Sequence, residues 1–320
     1  MVCCRFMPEY SIGVDLGGTN LRIAALNRTG TMLERIAETH FSAGRETLME
    51  EMVRSISRLR DKHGASGLAG IGVGVPGFIV FREGVVRNSN NLAFLENFPI
   101  RDELERRLGS PVILENDANA AALGEKWLGA GKTVDDLVLL TLGTGIGGGI
   151  ISGGRVIRGF LGMGGELGHL VVVPNGNPCG CGSQGCVEKQ ASATAVTAMA
   201  RMMQLGENLS SEEVFRLAHR GDDVGAKARE IWRVMGESVG AVLASLVNIF
   251  NFPLYLVGGG VMAAWELFAP AMMRAVEQRS ATYRLSGGLT RIERAMLGHD
   301  AGIYGAAYLP WIERRTTTHA

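Results

Sequence analysis

Two stretches of the chain share one design: a short apolar strand, a glycine-rich turn and a second strand. The first covers residues 11–26 with the turn GGTN at 17–20, and the second covers residues 137–151 with a Gly-Thr-Gly turn at 143–145. Successive N–H groups in such turns can bind an anion, although either hairpin alone could be an ordinary turn. Because the design occurs twice, it favours a duplicated α/β unit with a nucleotide in the cleft between the copies.

A third glycine element, LYLVGGGVM at residues 254–262, predicts a strand, three glycines and then a helix from about Trp265. A dinucleotide-binding Rossmann site would instead place G-x-G-x-x-G directly at the start of a helix. A second strand follows each of the first two turns, which counts against that fold. Asp15 ends the first strand and could hold a hydrated Mg²⁺ next to a phosphate, while Thr19 and Asn20 offer side-chain donors.

The stretch at residues 165–192 concentrates the residue types that bind soft metal ions. Four of them are spaced H-x9-C-x-C-x4-C: His169, Cys179, Cys181 and Cys186. Four such ligands suit one tetrahedral zinc ion without an open position, which would be structural rather than catalytic. The alternative is a disulfide or unrelated buried thiols. The first two cysteines, however, are too close in sequence to bridge comfortably.

Carboxylates and amides lie beside the turns where a small ligand could bind. Glu166 and Glu188 flank the zinc ligands, and a metal-pinned loop could hold both towards a polar ligand. Asp117 stands between a strand at residues 112–115 and an Ala-rich helix, where it could be the N-cap or a general base for a hydroxyl nucleophile. The Pro-Gly turn ending at Gly77 and the polar Asn91 could likewise serve a ligand or only shape a turn.

Composition excludes several functional classes. The 320 residues carry 32 basic and 32 acidic side chains, so the formal net charge is zero and the basic stripe that nucleic acid demands is lacking. The first ten residues have no apolar core of a signal peptide, and no run of 18 apolar residues predicts a membrane span. Five cysteines, an odd number without a secretory segment, indicate a reducing cytoplasm, and Cys3 and Cys4 have no predicted role.

Taken together, these residues resemble the ROK family of sugar kinases and repressors, within the actin, Hsp70 and hexokinase-like superfamily. The resemblance covers nearly the whole chain and rests on seven segments in order: DLGGTN from Asp15, GVPG from Gly74, END from Glu115, LGTGIGGG from Leu142, GELGH from Gly165, C-x-C-G-x-x-G-C-x-E from Cys179 and VGGGV from Val257. It implies a two-domain α/β, actin/hexokinase-like (ribonuclease H-like) duplicated fold with an interdomain cleft. Residues 1–117, joined by a C-terminal helix at about 300–320, would form one domain, and residues 118–299 with the zinc loop the other.

The resemblance also implies a role for individual residues. Asp117 would be the catalytic base, and the implied sugar contacts are Gly77, Asn91, Asn116, Asp117, Glu166, His169 and Glu188. The implied ATP contacts are Asp15, Gly17, Gly18, Thr19, Asn20, Gly143, Thr144, Gly145, Gly258 and Gly259. The implied ligands of a structural Zn²⁺ are His169, Cys179, Cys181 and Cys186, so that His169 would neighbour both zinc and sugar.

The implied reaction is Mg²⁺-dependent transfer of phosphate from ATP to the 6-hydroxyl of a hexose. The chain keeps all three thiols and is most similar to bacterial ATP-dependent glucokinases, which makes glucose the expected hexose. Leu95 stands where glucokinases often have Trp, and this leaves mannose, fructose or an N-acetylhexosamine open, as well as polyphosphate as donor. A non-catalytic sugar-binding regulator is the other alternative. A repressor is not expected, because the first strand begins at Ser11 without a preceding DNA-binding segment. A cytoplasmic homodimer or homotetramer is expected.

Overall fold

The computed structural model describes residues 9–18, 20–39, 44–89 and 92–316. Their strands are β1 (Tyr10–Leu16), β2 (Asn20–Asn27), β3 (Met32–Thr39), β4 (Leu68–Val75), β5 (Phe78–Val80), β6 (Val85–Asn88), β7 (Val112–Asn116), β8 (Leu137–Leu142), β9 (Ile146–Ser152), β10 (Arg155–Val156), β11 (Leu254–Gly258) and β12 (Arg291–Arg294). Their α-helices are α1 (Arg45–His63), α2 (Ile100–Leu108), α3 (Asp117–Trp127), α4 (Glu188–Ala191), α5 (Ala193–Met202), α6 (Ser211–Leu217), α7 (Asp223–Phe250), α8 (Trp265–Arg279), α9 (Ala281–Leu285) and α10 (Ala301–Thr316).

Ten of these strands form two five-stranded sheets with equivalent orders, and β5 and β6 pair with each other in a separate two-stranded sheet. The first has the order β3-β2-β1-β4-β7 and the second β10-β9-β8-β11-β12. In each, the outer pair on one side is antiparallel, β2 with β3 and β9 with β10. The other three strands of each sheet run parallel, β1-β4-β7 and β8-β11-β12. The two predicted glycine turns connect β1 to β2 and β8 to β9, so the predicted duplication is confirmed.

The chain divides into two compact units. The first contains the described residues up to 135, residues 150–165 and those from 300 onward, and the second contains residues 136–149 and 166–299. Helix α3 therefore packs with the first unit. The functional domain boundary after residue 117 stays a prediction.

One face of the first sheet is covered by α1 and α2. Leu48, Met52, Ile56 and Leu59 of α1 recur at helical spacing and are buried against Ile12, Val14 and Ile71 of the sheet, together with Leu104 and Leu108 of α2. This repeating spacing places four large side chains on one stripe of α1. The apolar area that they remove from water stabilises the unit.

The other face of this sheet receives the C-terminal helix α10 at very short range. A Cβ atom on Gly13 of β1 or on Gly72 of β4 would collide with backbone atoms of α10. Ser11 Oγ donates a hydrogen bond to the Ala307 carbonyl at 2.6 Å, and Trp311 Nε1 donates to Ser11 Oγ at 3.0 Å. Glycine in these strands therefore lets the last helix of the chain lie directly on the strand that carries Asp15.

In the second unit the long helix α7 packs against α8 through small residues. A Cβ on Gly236 or Gly240 would collide with carbonyl oxygens of α8. The sequence spacing along residues 224–250 predicts a buried apolar stripe made of Ile231, Val234, Val239, Val242, Leu246 and Ile249. Ile231, Val239, Val242 and Leu246 are buried, whereas Ile249 at the end of the stripe is 69% exposed. By length and composition α7 is the one described helix that could cross a membrane, and half of its most apolar 18-residue window is buried. A core helix has the same composition, so this is weak support for a membrane span.

Candidate active site and metal centre

The junction of β7 and α3 holds the predicted base in a tightly bonded turn. Asn116, and not Asp117 as the sequence suggested, is the N-cap of α3. Its side-chain oxygen accepts hydrogen bonds from the N–H groups of Ala118 at 2.9 Å and Asn119 at 3.1 Å. Its amide nitrogen donates to the Gly77 carbonyl at 3.1 Å. The amide of Asn116 satisfies the helix end that the carboxylate was expected to cap, which leaves Asp117 on the first turn of the helix.

Asp117 has an unusual electrostatic environment for a carboxylate. Its Oδ1 accepts a hydrogen bond from the N–H of Ala118 at 2.9 Å, which favours the ionised form. Burial, and secondarily the negative charge of Asp15, nevertheless raise its pKa to about 6. Part of the side chain still reaches solvent, although the carboxylate lies deep in the protein. A carboxylate with a pKa close to neutrality can accept a proton and return it readily, which a general base requires.

Asp15 lies at the end of β1, and its pKa is raised as well. Burial raises its pKa, and the Arg22 guanidinium, whose Nη1 is 3.2 Å from Asp15 Oδ2, opposes that rise. The start of α10 lies against the same carboxylate, since a Cβ on Gly302 would be 2.7 Å from Asp15 Oδ1. Two neighbouring acids of raised pKa make a local excess of negative charge. Such a site fits a divalent cation bound through oxygen.

The first glycine turn is short and open. Gly17 N–H donates to the Asn20 carbonyl at 2.8 Å, and Gly18 and Asn20 are exposed. Thr19 and Asn91 of the predicted contacts lie outside the described residues. The described part of the turn therefore presents backbone groups and one amide side chain at the end of the strand that bears Asp15.

The second glycine turn is held by the helix that follows the zinc loop. Gly143 N–H donates to the Gly145 carbonyl at 2.9 Å, which closes the turn. Ala193 N–H, at the start of α5, donates to the Gly143 carbonyl at 2.8 Å, and Thr194 Oγ1 donates to the Thr144 carbonyl at 2.7 Å. Both carbonyls thus accept hydrogen bonds from α5. The side chain of Thr144 is exposed and remains available to a ligand.

Glu188 connects this turn to the cysteine cluster. Its Oε2 accepts a hydrogen bond from the N–H of Ile146 at 3.0 Å, and its Oε1 is 4.0 Å from Cys179 Sγ. A Cβ on Gly145 would collide with Glu188 Oε2. Glycine is therefore required at position 145 for the carboxylate to reach the turn.

The third glycine element lies beside the second turn. Gly259 has a φ of 101° and follows β11, and a Cβ there would collide with the backbone of Leu142, the residue before Gly143. A Cβ on Gly258 would be 2.9 Å from the Cβ of Ala295. Only glycine lets the end of β11 come so close to the end of β8. The predicted phosphate turn and the predicted adenosine element are thus neighbours within the second unit.

The four predicted zinc ligands meet at one point. The donor atoms of His169, Cys179, Cys181 and Cys186 all lie within 4.8 Å of one another. Cys179 Sγ is 3.7 Å from His169 Nδ1, and Cys181 Sγ is 3.7 Å from Cys186 Sγ. A tetrahedral zinc with bonds of about 2.3 Å to sulfur would place its sulfur ligands about 3.8 Å apart, so the arrangement fits that ion.

The two ring nitrogens of His169 face different groups. Its Nδ1 faces Cys179, whereas its Nε2 lies 4.0 Å from Glu166 Oε2. A carboxylate on the far side of the ring is the usual partner of a metal-bound histidine, because it fixes the tautomer and the ring direction. The short 3₁₀ helix Leu167–His169 follows Glu166 directly and holds both residues.

The structure thus gathers the predicted residues into two groups, one in each unit. The first unit contains Asp15, Gly17, Gly18, Asn20, Gly77, Asn116 and Asp117. The second unit contains Gly143, Thr144, Gly145, Glu166, His169, Cys179, Cys181, Cys186, Glu188, Gly258 and Gly259. Sequence reasoning missed one further feature of the first group, the pairing of the buried Glu115 with Arg158 at 2.7 Å. The charge of Glu115 at the end of an apolar strand was the available signal.

Comparison with known proteins gives the family. The ROK family model matches residues 11–312, nearly the entire chain. The chain belongs to the ROK family. A glucokinase of Thermotoga maritima is 37% identical, over 94% of this chain and 97% of its own length. The structure of a ROK hexokinase from Thermus thermophilus is similar with a TM-score of 0.83 and 37% identity, covering 96% of this chain and 99% of that one.

A second solved relative is a ROK glucokinase from Streptomyces griseus in complex with glucose and AMPPNP, with a TM-score of 0.76, 33% identity and coverage of 94% of this chain and 98% of that one. Other relatives differ in function. They include a xylose repressor of Caldicellulosiruptor bescii, 32% identical over 84% of this chain and 70% of the repressor, and an N-acetylmannosamine kinase of Haemophilus influenzae, 30% identical over 94% and 95%. The actin/hexokinase-like, two-domain α/β fold expected from the sequence is confirmed by the solved kinases.

Proposed function

We propose that this ATP-dependent sugar kinase phosphorylates the 6-hydroxyl of a hexose, and that the hexose is glucose. The observation that carries the proposal is Asp117, a buried carboxylate with a pKa of about 6 on the first turn of α3. The glucokinases among its relatives support glucose as the substrate.

In the proposed reaction Asp117 accepts the proton of the sugar 6-hydroxyl while that oxygen attacks the γ-phosphorus of ATP. The bond from phosphorus to the bridging oxygen breaks, and ADP leaves with its electron pair. General base catalysis of this kind contributes roughly 10²- to 10⁴-fold. The remaining acceleration comes from alignment of the two reactants and from donors around the phosphoryl oxygens, since the transition state is loose.

We assign ATP to three glycine elements: residues 17–20, residues 143–145, and Gly258 with Gly259. N–H groups at the turns would bind phosphate oxygens. Bound Mg²⁺ supplies positive charge to the phosphates, and Asp15 is the residue that would hold it. The raised pKa of Asp15 supports this role, because a cation would relieve the unfavourable charge.

We assign the sugar contacts to seven residues: Gly77, Asn91, Asn116, Asp117, Glu166, His169 and Glu188. A hexose presents many O–H donors, which carboxylate oxygens accept. Asn116 uses its oxygen and one amide hydrogen within the protein, so its second amide hydrogen is the one offered to a sugar oxygen. Leu95, at the position where the resemblance leads one to expect Trp, is fully buried in the apolar core.

We propose a structural zinc at His169 and the three cysteines. The 3.7 Å separations between donor atoms support it, as does the carboxylate of Glu166 behind the histidine ring. All four positions of the ion would be filled, so its contribution is to hold the loop that carries Glu166 and Glu188. Metal analysis of purified protein tests this, and the proposal fails if zinc is far below one equivalent per chain.

The deciding experiment is a coupled assay over a panel of sugars and phosphoryl donors. With ATP, glucose is expected to give the highest kcat/KM among glucose, mannose, fructose, N-acetylglucosamine and N-acetylmannosamine. A higher value for another sugar would transfer the assignment to that sugar, and a higher value with polyphosphate would change the donor. Sugar binding without turnover would indicate a regulator. Cytoplasmic location and a homodimeric or homotetrameric state stay predictions.

A further inference from the structure

Glu115 is a buried carboxylate that the proposed reaction does not use. It ends β7 two residues before Asp117, and only 2% of its side chain is exposed. Its Oε1 accepts hydrogen bonds from Asn116 N–H at 2.9 Å and from Asn119 Nδ2 at 3.1 Å. One oxygen of Glu115 therefore fixes both the N-cap of α3 and a residue of its first turn.

The other oxygen of Glu115 is held by Arg158. Arg158 Nε donates to Glu115 Oε2 at 2.7 Å, and Arg158 Nη2 donates to Glu313 Oε1 of α10 at 3.1 Å. The guanidinium also lies over the ring of Phe81, 3.9 Å from its centroid. Two ion pairs through different nitrogens and stacking on one face fix the orientation of the guanidinium, which lysine could not reproduce.

The segment that carries Arg158 is itself anchored to the same unit. Gly164 N–H donates to the Arg158 carbonyl at 2.7 Å, which closes the loop that follows Arg158. A Cβ on Gly162 would lie 2.7 Å from the backbone nitrogen of Phe81, so this loop runs directly against the end of β5. Arg158 is thus supported from its backbone and from its ring contact, and it meets Glu115 as a rigid partner.

We infer that Arg158 is a positioning residue for the catalytic base: through Glu115 it fixes the β7–α3 turn, and thereby Asp117. The inference rests on the proposed function only in taking Asp117 as the catalytic base. The support that Arg158 gives to the β7–α3 turn does not depend on it. The physical reason is the burial of Glu115. Without the guanidinium, a carboxylate that is almost wholly removed from water is left without its ion-pair partner, and it must move towards solvent or towards a new partner. Either change alters the acceptor that holds Asn116 and Asn119, and so shifts the first turn of α3.

The test compares four variants of the full chain. Arg158→Met removes both the positive charge and the N–H donors of the planar guanidinium, whereas Arg158→Lys keeps only the positive charge. Arg155→Met is the matched control, because Arg155 lies three residues earlier on an exposed edge. The double variant Glu115→Gln/Arg158→Met leaves no buried unpaired charge and can fold even if Arg158→Met cannot.

Two readouts separate positioning from stability. Arg158→Met is expected to lower kcat, per folded molecule, on the order of 10- to 100-fold while the hexose KM changes less than about threefold, since a displacement near 1 Å has that effect on a rate. Arg158→Lys should recover part of the loss. The double variant should regain the melting temperature but not kcat. Arg155→Met should match the wild type.

Amide hydrogen exchange of residues 118–120 is the second readout, and it does not depend on any substrate. Exchange there should rise at least about tenfold in Arg158→Met and in the double variant, and stay unchanged in Arg155→Met. Unchanged exchange in both, or a kcat within twofold of wild type despite a lower melting temperature, would overturn the inference. If the wild type phosphorylates no hexose, the proposed function fails, while the exchange data still decide the role of Arg158.

Discussion

Replacing Asp117 with asparagine is expected to abolish turnover and at the same time to stabilise the folded protein. The pKa of Asp117 is raised from 3.8 to about 6, chiefly by burial and then by the charge of Asp15. A difference of about 2 pKa units corresponds to about 3 kcal/mol. Because the folded state has the higher pKa, ionisation above pH 6 favours the unfolded chain. Asparagine carries no charge and escapes this cost, while its amide oxygen can still accept from Ala118 N–H.

The size of the effect should depend on pH in a defined way. The gain on replacement is at most about 3 kcal/mol at pH 7.5, because part of Asp117 reaches solvent. The stability gained falls to about half of this value at pH 5, where Asp117 of the folded protein is already mostly protonated, and it is nearly absent below pH 4. The unfolding entropy of about 2.1 cal/mol/K per residue amounts to about 0.7 kcal/mol/K for this chain, so the melting temperature should rise by up to about 4 °C at pH 7.5.

The assay is thermal unfolding of both proteins across this pH range, together with steady-state rates and sugar binding. Asp223→Asn is the matched control, since Asp223 is also the first residue of a helix but is exposed. Its replacement should change stability by less than about 1 kcal/mol and should not stabilise, because an exposed acid there interacts favourably with the helix dipole. An Asp117→Asn protein that is no more stable than wild type at pH 7.5 would refute the electrostatic argument. Near-normal turnover would refute the role as base.

Three further outcomes are expected. The kcat/KM of the wild type should fall towards acid pH with a midpoint near pH 6, because Asp117 acts in its ionised form. At pH 5 it should be about one tenth of its plateau value, and a midpoint near pH 4 would contradict the role of Asp117. Gly145→Ala should weaken hexose binding measured by calorimetry without ATP, since its methyl group displaces Glu188, whereas Gly143→Ala has room for the methyl group and should not. Cys181→Ala should release zinc and weaken hexose binding on the order of tenfold or more, with a smaller effect on global unfolding. Unchanged hexose affinity in the metal-free protein would contradict the proposal that zinc holds the loop that carries Glu166 and Glu188.

Local patterns were sufficient for the elements that carry the glycine turns. The apolar runs before residues 17 and 143 predicted β1 and β8. The helical spacing of Leu48, Met52, Ile56 and Leu59 likewise predicts a helix over residues 45–63, and α1 has these bounds. These elements are buried on at least one face, so apolar side chains recur along them with the period of the strand or helix. Their order also predicted the duplicated sheets.

Edge strands and helix ends escaped that reasoning. β3 and β12 were missed, because MLERIAET and RIER mix charged residues into short runs, as strands on the open edge of a sheet do. Periodicity along α7 gave the buried face but placed Ile249 on it, although Ile249 is 69% exposed. A period shows which side of a helix faces the core. It does not show where the neighbouring helix α8 ceases to cover it.

At the candidate site, the residue types were predictable and their partners were not. A carboxylate after an apolar strand marked Asp117, but two adjacent residues could serve as the N-cap, and the hydrogen bonds of Asn116 decided between them. Glu188 was predicted to face a ligand, whereas its bond to Ile146 depends on glycine at position 145. Arg158 and Glu115 are 43 residues apart in sequence, and no local rule pairs them.

The two carboxylates of the β7–α3 turn, Glu115 and Asp117, have opposite surroundings in hydrogen-bond donors and charge. This contrast supports the separate roles assigned to them. Glu115 receives a guanidinium and two N–H donors, which together hold both of its oxygens. Asp117 receives one backbone donor at 2.9 Å, and the nearest charge that affects its pKa is the negative one of Asp15. A carboxylate that is bound at both oxygens holds its position. An undercompensated one, fixed by its neighbour, can accept the proton of an alcohol near neutral pH. Exchange of the two environments by mutation would therefore remove both functions, even with both carboxylates retained.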